Sequence, residues 1–138
     1  MQRNGRVNSG DVSIFYRAFG TRGQTPILLM HGANYFDSYD WIRVAEALAT
    51  DREAASFDKR GFGESGWSPR KDYSVDANMG DILAVIASLK WERPIVVGFG
   101  TCGLFAALVL AQSGFRPIVL ERGREVRRHT KDTWALWR

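Results

Sequence analysis

Cysteine is nearly absent from this 138-residue chain, which contains only Cys102. A single thiol cannot form an internal disulfide framework. No apolar run approaches the roughly 18 residues that a membrane-spanning helix needs, and the polar N-terminus is unlike a signal peptide. Internal repeats and low-complexity segments are also missing. These absences predict a soluble protein of a reducing, cytoplasmic compartment, folded as one domain over residues 1–138 that is large enough to bury a core.

The net charge of +4 is unevenly distributed along the chain. Residues 121–138 contain six basic and three acidic side chains. A basic segment can contact the phosphates of nucleic acid, but the interspersed acids favour a solvated helix face. We therefore do not expect nucleic acid as a partner, and we expect no membrane contact and no metal site.

Short apolar segments alternate with amphipathic helical patterns along the chain. A turn signal at residues 8–11 predicts an N-terminal hairpin, whose second strand, residues 12–19, is expected at the edge of a sheet. One helix is predicted from Ser38 or Asp40 to Thr50, and a second is predicted to be capped by Ser74. Further strands are predicted at residues 27–30, 54–57, 94–98 and 117–120. This order predicts an α/β fold with three α/β/α layers, a mostly parallel sheet and an N-terminal antiparallel hairpin.

A glycine-rich turn follows the predicted strand at residues 94–98. Its glycines have the G-x-G-x-x-G spacing that cradles a pyrophosphate in dinucleotide-binding folds, and an acid follows the next strand, where such folds bind a ribose hydroxyl. The same pattern also occurs in a strand-to-helix turn that binds no ligand. The predicted cofactor-binding residues are Gly98, Phe99, Gly100, Thr101, Cys102, Gly103, Glu121 and Arg122.

Residues 1 to about 98 resemble the α/β-hydrolase family. The resemblance lies in His31-Gly32-Ala33 after a strand and in residues 58–65, which are similar to the D-x-R-G-x-G-x-S loop of that family. It implies that the backbone after Gly32 contributes to an oxyanion hole. Against the G-x-S-x-G motif of the nucleophile elbow, Gly100 takes the serine position, and the thiol of Cys102 lies two positions later.

Three polar residues of this region are candidates for catalysis. The alternative role of each is structural: Asp58 anchors a loop, His31 holds the turn at the end of a strand, and Ser65 forms local hydrogen bonds. We expect the structural roles, and hence no catalytic residue among them.

Residues from about 94 to 138 are similar to FAD-dependent dehydrogenases. The similar segments are Ile95 to Gly100, Gly103 to Ala107 and residues 117–123. The resemblance implies FAD binding, with Gly98, Gly100 and Gly103 at the pyrophosphate. Two partial signatures that meet at residues 94–98 suggest a hydrolase/Rossmann hybrid, an engineered chimera of a hydrolase-like part (1–94) and a dinucleotide-binding part (95–138).

The chimera hypothesis predicts a protein that is not an enzyme and binds FAD or another adenine dinucleotide weakly at most. One alternative is hydrolase activity on esters, and a second is a fragment of a flavin oxidoreductase. A splice would leave a sheet edge and the helix at residues 101–113 uncovered, which favours association. We therefore expect a homodimer through one of these surfaces, or docking of residues 134–137 there.

Overall fold

The computed structural model describes residues 2–32 and 37–98, together with residues 108, 111, 112 and 114. Five strands, two α-helices and one 3₁₀ helix are formed within the two long segments. In chain order they are β1 (Gln2–Ser9), β2 (Val12–Phe19), β3 (Gln24–Met30), the 3₁₀ helix (Ser38–Trp41), α1 (Ile42–Leu48), β4 (Arg52–Phe57), α2 (Val75–Ser88) and β5 (Ile95–Val97).

The strands form one sheet in the order β1-β2-β4-β3-β5. β2 pairs antiparallel with β1 and β4, whereas β3 pairs parallel with β4 and β5. The described sheet is therefore mixed, rather than mostly parallel as predicted. β4 and β5 flank β3 on opposite sides.

The predicted hairpin forms, but its position in the sheet differs from the prediction. Gly10 and Asp11 make a two-residue turn between Ser9 and Val12, which face each other in register. Gly10 has φ +58°, the left-handed conformation that such turns favour. The prediction that β2 is an edge strand is wrong, because β1 covers it on the outer side. The polar sequence of β1 hid a full strand, since an exposed edge needs few apolar residues.

Two apolar clusters lie on opposite faces of the sheet, because successive strand residues point to opposite sides. In β3, Leu28 and Met30 belong to the first cluster and Ile27 and Leu29 to the second. Helix α2 packs against the first cluster and helix α1 against the second. The sheet thus lies between the two helices.

The helices begin close to their predicted positions. The Ser74 hydroxyl accepts a hydrogen bond from the backbone N–H of Ala77 and caps α2. The predicted first helix is divided into the 3₁₀ helix and α1, in which Val44 is 41% exposed and Ala45 is buried. Among the helices of the described segments, none is long and apolar enough to cross a membrane. The predicted helix at 101–113, the strand at 117–120 and the tail contacts lie outside the described residues.

Candidate functional site at the carboxyl end of β3

The carboxyl end of β3 is a topological switch point. Its two parallel neighbours, β4 and β5, lie on opposite sides of it, so the segments that follow the three strands leave from the same edge of the sheet. In open α/β sheets such a point opens a crevice in which ligands bind. The residues that the sequence brings to this edge include His31, Asp58, Lys59 and Gly98.

Gly98 brings the end of β5 against the end of β3. Its φ is +134°, and a Cβ atom placed there would lie 2.7 Å from the carbonyl oxygen of Met30. A side chain at this position would therefore be strained and would also collide with the β3 backbone. Glycine is needed here for the close approach of two strand ends, a role that was not predicted from the sequence.

His31 joins the exit of β3 to the exit of β4. The side chain is buried, its Nε2 accepts a hydrogen bond from the backbone N–H of Lys59 at 3.0 Å, and its Nδ1 lies 2.8 Å from the carbonyl oxygen of Gly32. An acceptor at Nε2 requires the proton on Nδ1, which then donates to Gly32. Burial, and then the charge of Lys59, lower the pKa of His31. The imidazole is therefore neutral at pH 7, and both of its nitrogens are engaged.

Asp58 ties three backbone segments together just after β4. It is almost fully buried, and its two carboxylate oxygens accept hydrogen bonds from the backbone N–H groups of Ser38 at 2.7 Å and Glu64 at 2.8 Å. Gly63 has φ +48°, and a Cβ atom there would lie 2.3 Å from Asp58 Oδ2. The aspartate and the glycine of the D-x-R-G-x-G-x-S pattern therefore form one turn. The geometry agrees with the loop-anchoring role expected of Asp58.

Ser65 closes the same turn onto β2. Its hydroxyl donates to the carbonyl oxygen of Asp58 at 2.6 Å and accepts from the backbone N–H of Phe15 at 2.8 Å. Both bonds are made to backbone groups, and the side chain is buried. The expected local role of Ser65 is seen in these contacts, which leave the hydroxyl committed to structure.

Phe62 and Lys59 complete the surroundings of His31. The Phe62 ring meets the imidazole edge to face, with centroids 5.2 Å apart. The Lys59 ammonium lies over the Phe62 ring, 5.8 Å from its centroid. An apolar ring, a neutral imidazole and a cation are thus gathered at the β4 exit.

A buried ion pair behind the site was not predicted from the sequence. Arg60 Nε donates to Asp81 Oδ2 at 2.8 Å, and Arg60 Nη2 donates to Asp81 Oδ1 at 2.7 Å. The pair connects the loop after β4 to α2. Asp81 immediately precedes Ile82 on the buried face of α2. An acidic residue on the buried face of a helix is the sequence feature that could have indicated a buried ion pair.

Most of the predicted cofactor-binding residues lie outside the described part of the chain: only Gly98 is included. The predicted binding of FAD therefore stays a prediction at Phe99, Gly100, Thr101, Cys102, Gly103, Glu121 and Arg122. Among the described residues there is no group of three or more His, Cys, Asp or Glu side chains that could hold a metal ion.

Comparison with known proteins identifies hydrolases as relatives. Residues 25–128 match the sequence profile of a family described as alpha/beta hydrolase fold. Epoxide hydrolase 4 of Mus musculus is 28% identical over 105 residues, which cover 75% of this chain and 29% of the mouse protein. The structure of Est816, described as an N-acyl homoserine lactone degrading enzyme, matches with a TM-score of 0.72 and 26% identity over 83% of this chain and 42% of Est816.

A shorter match joins this chain to an uncharacterized protein of Clostridium beijerinckii, with 52% identity over 46 residues that cover 33% of this chain and 9% of that protein. The chain spans less than half of the length of each of these three relatives.

These findings correct the functional prediction made from the sequence. The matched segment, residues 25–128, extends to both sides of residues 94–98, where the chimera hypothesis placed its junction. The named relatives are hydrolases rather than flavoproteins. An engineered chimera that is not an enzyme is therefore contradicted, and so is its description as a flavoprotein. The alternative of a hydrolase agrees better with these relatives.

Proposed function

The chain belongs to the alpha/beta hydrolase fold family, and on that premise we propose that it acts in hydrolysis of a carbon–oxygen bond. The proposed substrate class is an ester or an epoxide. It would bind in the crevice at the carboxyl end of β3, between the segments that leave β4 and β5. Because the chain spans less than half of its relatives, the proposal concerns the reaction class and the part of the site formed by the described residues.

The observation that supports the proposal most strongly is the junction of Gly98 with Met30 at the switch point. A contact that only glycine permits brings the end of β5 to the turn after β3. The relatives named above include an epoxide hydrolase and a lactone-degrading enzyme. An epoxide and a lactone both contain a carbon–oxygen bond in a ring, and this shared feature supports the proposed reaction class.

The described residues would serve this reaction by holding backbone groups in place. The Nδ1–H of His31 fixes the carbonyl of Gly32, and the turn after β3 is thereby held at the crevice. Backbone N–H groups fixed in such a turn stabilise the negative charge that develops on a substrate oxygen. Gly100, in the serine position of the elbow motif, offers no nucleophilic side chain, and the proposal assigns no nucleophile.

The test is hydrolysis by the purified chain of 4-nitrophenyl acetate and of an aryl epoxide. We expect turnover above the buffer rate on at least one of them, with loss of turnover in Gly98→Ala, because the added methyl would push β5 away from Met30. Gly10→Ala is the matched control, since that glycine also has a positive φ but has nothing within 4 Å of its Cβ position. Circular dichroism confirms that each variant is folded. A wild-type chain that hydrolyses neither substrate would overturn the proposal.

Three finer predictions belong with this proposal. The placement of α1 and α2 on opposite faces of the sheet supports three α/β/α layers for the whole chain. A homodimer through an exposed sheet edge or the helix predicted at residues 101–113 is also proposed, because β1 is an outer strand of the described sheet and an uncovered strand edge favours association; sedimentation equilibrium would measure its mass. A cytoplasmic location is likewise proposed.

A further inference from the structure

Lys59 is a buried cation without a protein partner among the described residues. Its side chain follows β4 directly, and the residue is only 7% exposed. No carboxylate of the described segments lies within 4 Å of the ammonium. The two largely buried arginine side chains near the site do have such partners: Arg60 pairs with Asp81, and Arg17 pairs with Glu64. A buried cation is costly unless it is paired. Among these three largely buried cations of the described segments, the one without a carboxylate partner is therefore Lys59, which lies at the crevice.

The position of the ammonium is fixed by the groups around it. It lies over the Phe62 ring, and the Lys59 backbone N–H is bound to His31. The charge of Lys59 also contributes to the lowered pKa of His31, which agrees with an ammonium close to the imidazole. Among the described residues, no fully buried side-chain nitrogen or oxygen lacks a hydrogen-bond partner.

We propose that Lys59 determines substrate specificity by binding a carboxylate group on the substrate at this crevice. The inference rests on the proposed function, because it assigns a substrate class to the same site. The ammonium lies over the Phe62 ring at the exit of β4, and the burial of the residue makes an unpaired charge there costly. A carboxylate there would provide the counter-charge that the described protein groups do not.

The surroundings favour a monoanion with an apolar body. Lys59 contributes one positive charge, and the adjacent His31 is neutral, so a single carboxylate balances the charge of this part of the site. The half-buried Phe62 ring lies beside the ammonium and would contact the carbon chain that carries the carboxylate. The proposed substrate is therefore an anionic ester or epoxide in which a short hydrocarbon separates the reacting bond from the carboxylate.

Binding is measured first, because it does not depend on turnover. Monomethyl glutarate carries one carboxylate, and dimethyl glutarate is its neutral counterpart. In calorimetric titrations we expect the wild-type chain to bind the anion about tenfold to a hundredfold more tightly, as expected for a charge-assisted hydrogen bond. Lys59→Met should remove this preference and Lys59→Arg should keep most of it. If the wild-type chain binds the two compounds equally, or binds neither, the inference is overturned, and this result does not depend on whether the variants fold.

Hydrolysis then separates this inference from the proposed function. Mono-4-nitrophenyl glutarate and 4-nitrophenyl acetate share a leaving group and differ in charge, and we expect the ratio of their kcat/KM values to fall at least about tenfold in Lys59→Met. Carboxylate binding without hydrolysis of either ester or of the aryl epoxide would refute the proposed function and leave the Lys59 site standing. Turnover with an unchanged ratio would refute the Lys59 site alone. Tighter binding of inorganic phosphate than of monomethyl glutarate would overturn the assignment to a carboxylate.

Discussion

Replacement of Asp81 by Asn should destabilise the fold strongly, because it leaves Arg60 charged and buried. The two side chains are 3% and 1% exposed, and two parallel N–H to oxygen bonds of 2.7 and 2.8 Å join them. The asparagine is nearly isosteric, so packing is retained while the countercharge is lost. The change therefore isolates the electrostatic contribution of the carboxylate.

The expected loss follows from the geometry of the pair. A hydrogen bond to a charged group contributes about 1.5–3 kcal/mol, and Arg60 makes two of them with Asp81. Removal of one partner from a buried ion pair costs about 3–5 kcal/mol, chiefly because the other charge stays buried without a partner. Arg60 Nη1 keeps its bond to the carbonyl oxygen of Asp72, which places the expected loss near the lower end of this range.

Urea denaturation followed by tryptophan fluorescence measures the free energy of unfolding. The matched double variant Arg60→Met/Asp81→Leu removes both charges and should be markedly more stable than Asp81→Asn, because no unpaired charge remains. Arg6→Gln removes an arginine whose side chain is 50% exposed and serves as the surface control. A loss below about 1 kcal/mol for Asp81→Asn, the value typical of exposed pairs, would refute the argument that burial makes this pair important.

Three further predictions use the same measurement. Because the pKa of His31 is lowered in the folded state, the unfolded chain binds more protons below about pH 6.5; stability should fall as the pH decreases from there, and His31→Gln should flatten this dependence. Ser74→Ala should cost about 1 kcal/mol through loss of the α2 cap, whereas Ser74→Asp should retain most of it; equal stability of the three would contradict the capping role. Gly63→Ala should destabilise clearly more than Gly10→Ala, since both have a positive φ but only the first adds a collision; equal losses would show that the collision relaxes freely.

The strands whose residues are mostly apolar were predictable from the sequence. Residues 27–30 and 54–57 are almost entirely apolar or small, and the structure places both in the buried centre of the sheet. β1 shows the limit of this approach. Seven of its eight residues are exposed or half-buried, so no apolar pattern reveals that it pairs along its whole length with β2.

The loop after β4 was predictable in its roles but not in its long-range partners. The acid, the glycines and the serine of residues 58–65 suggested an anchored turn, and their contacts agree. The partner of Arg60 lies 21 positions away on α2, and no spacing rule connects a loop residue to a helix residue at that distance. Such pairs depend on how the helix is placed against the sheet.

The chimera hypothesis failed because the pattern on which it rested is local. A short apolar strand, a glycine turn and an apolar helix satisfy the same physical requirements in dinucleotide-binding folds and in hydrolases: a tight turn and close packing of helix on strand. The glycine spacing at residues 98–103 reports those requirements. It does not identify the ligand or the family, whereas the match over residues 25–128 integrates many weaker signals along the chain.

The polar residues described at the crevice hold backbone segments in place and are not positioned for proton transfer. Both nitrogens of His31 and both carboxylate oxygens of Asp58 are engaged with protein groups, and the Ser65 hydroxyl is bound at both its donor and its acceptor side. A general base must lie within hydrogen-bond reach of the proton that it removes, whereas the one lone pair of the neutral imidazole is occupied and Asp58 and Ser65 are 1% and 5% exposed. These three residues therefore position the loops, and Lys59, which has no partner among the described residues, is the group on this side best placed to contact a substrate directly.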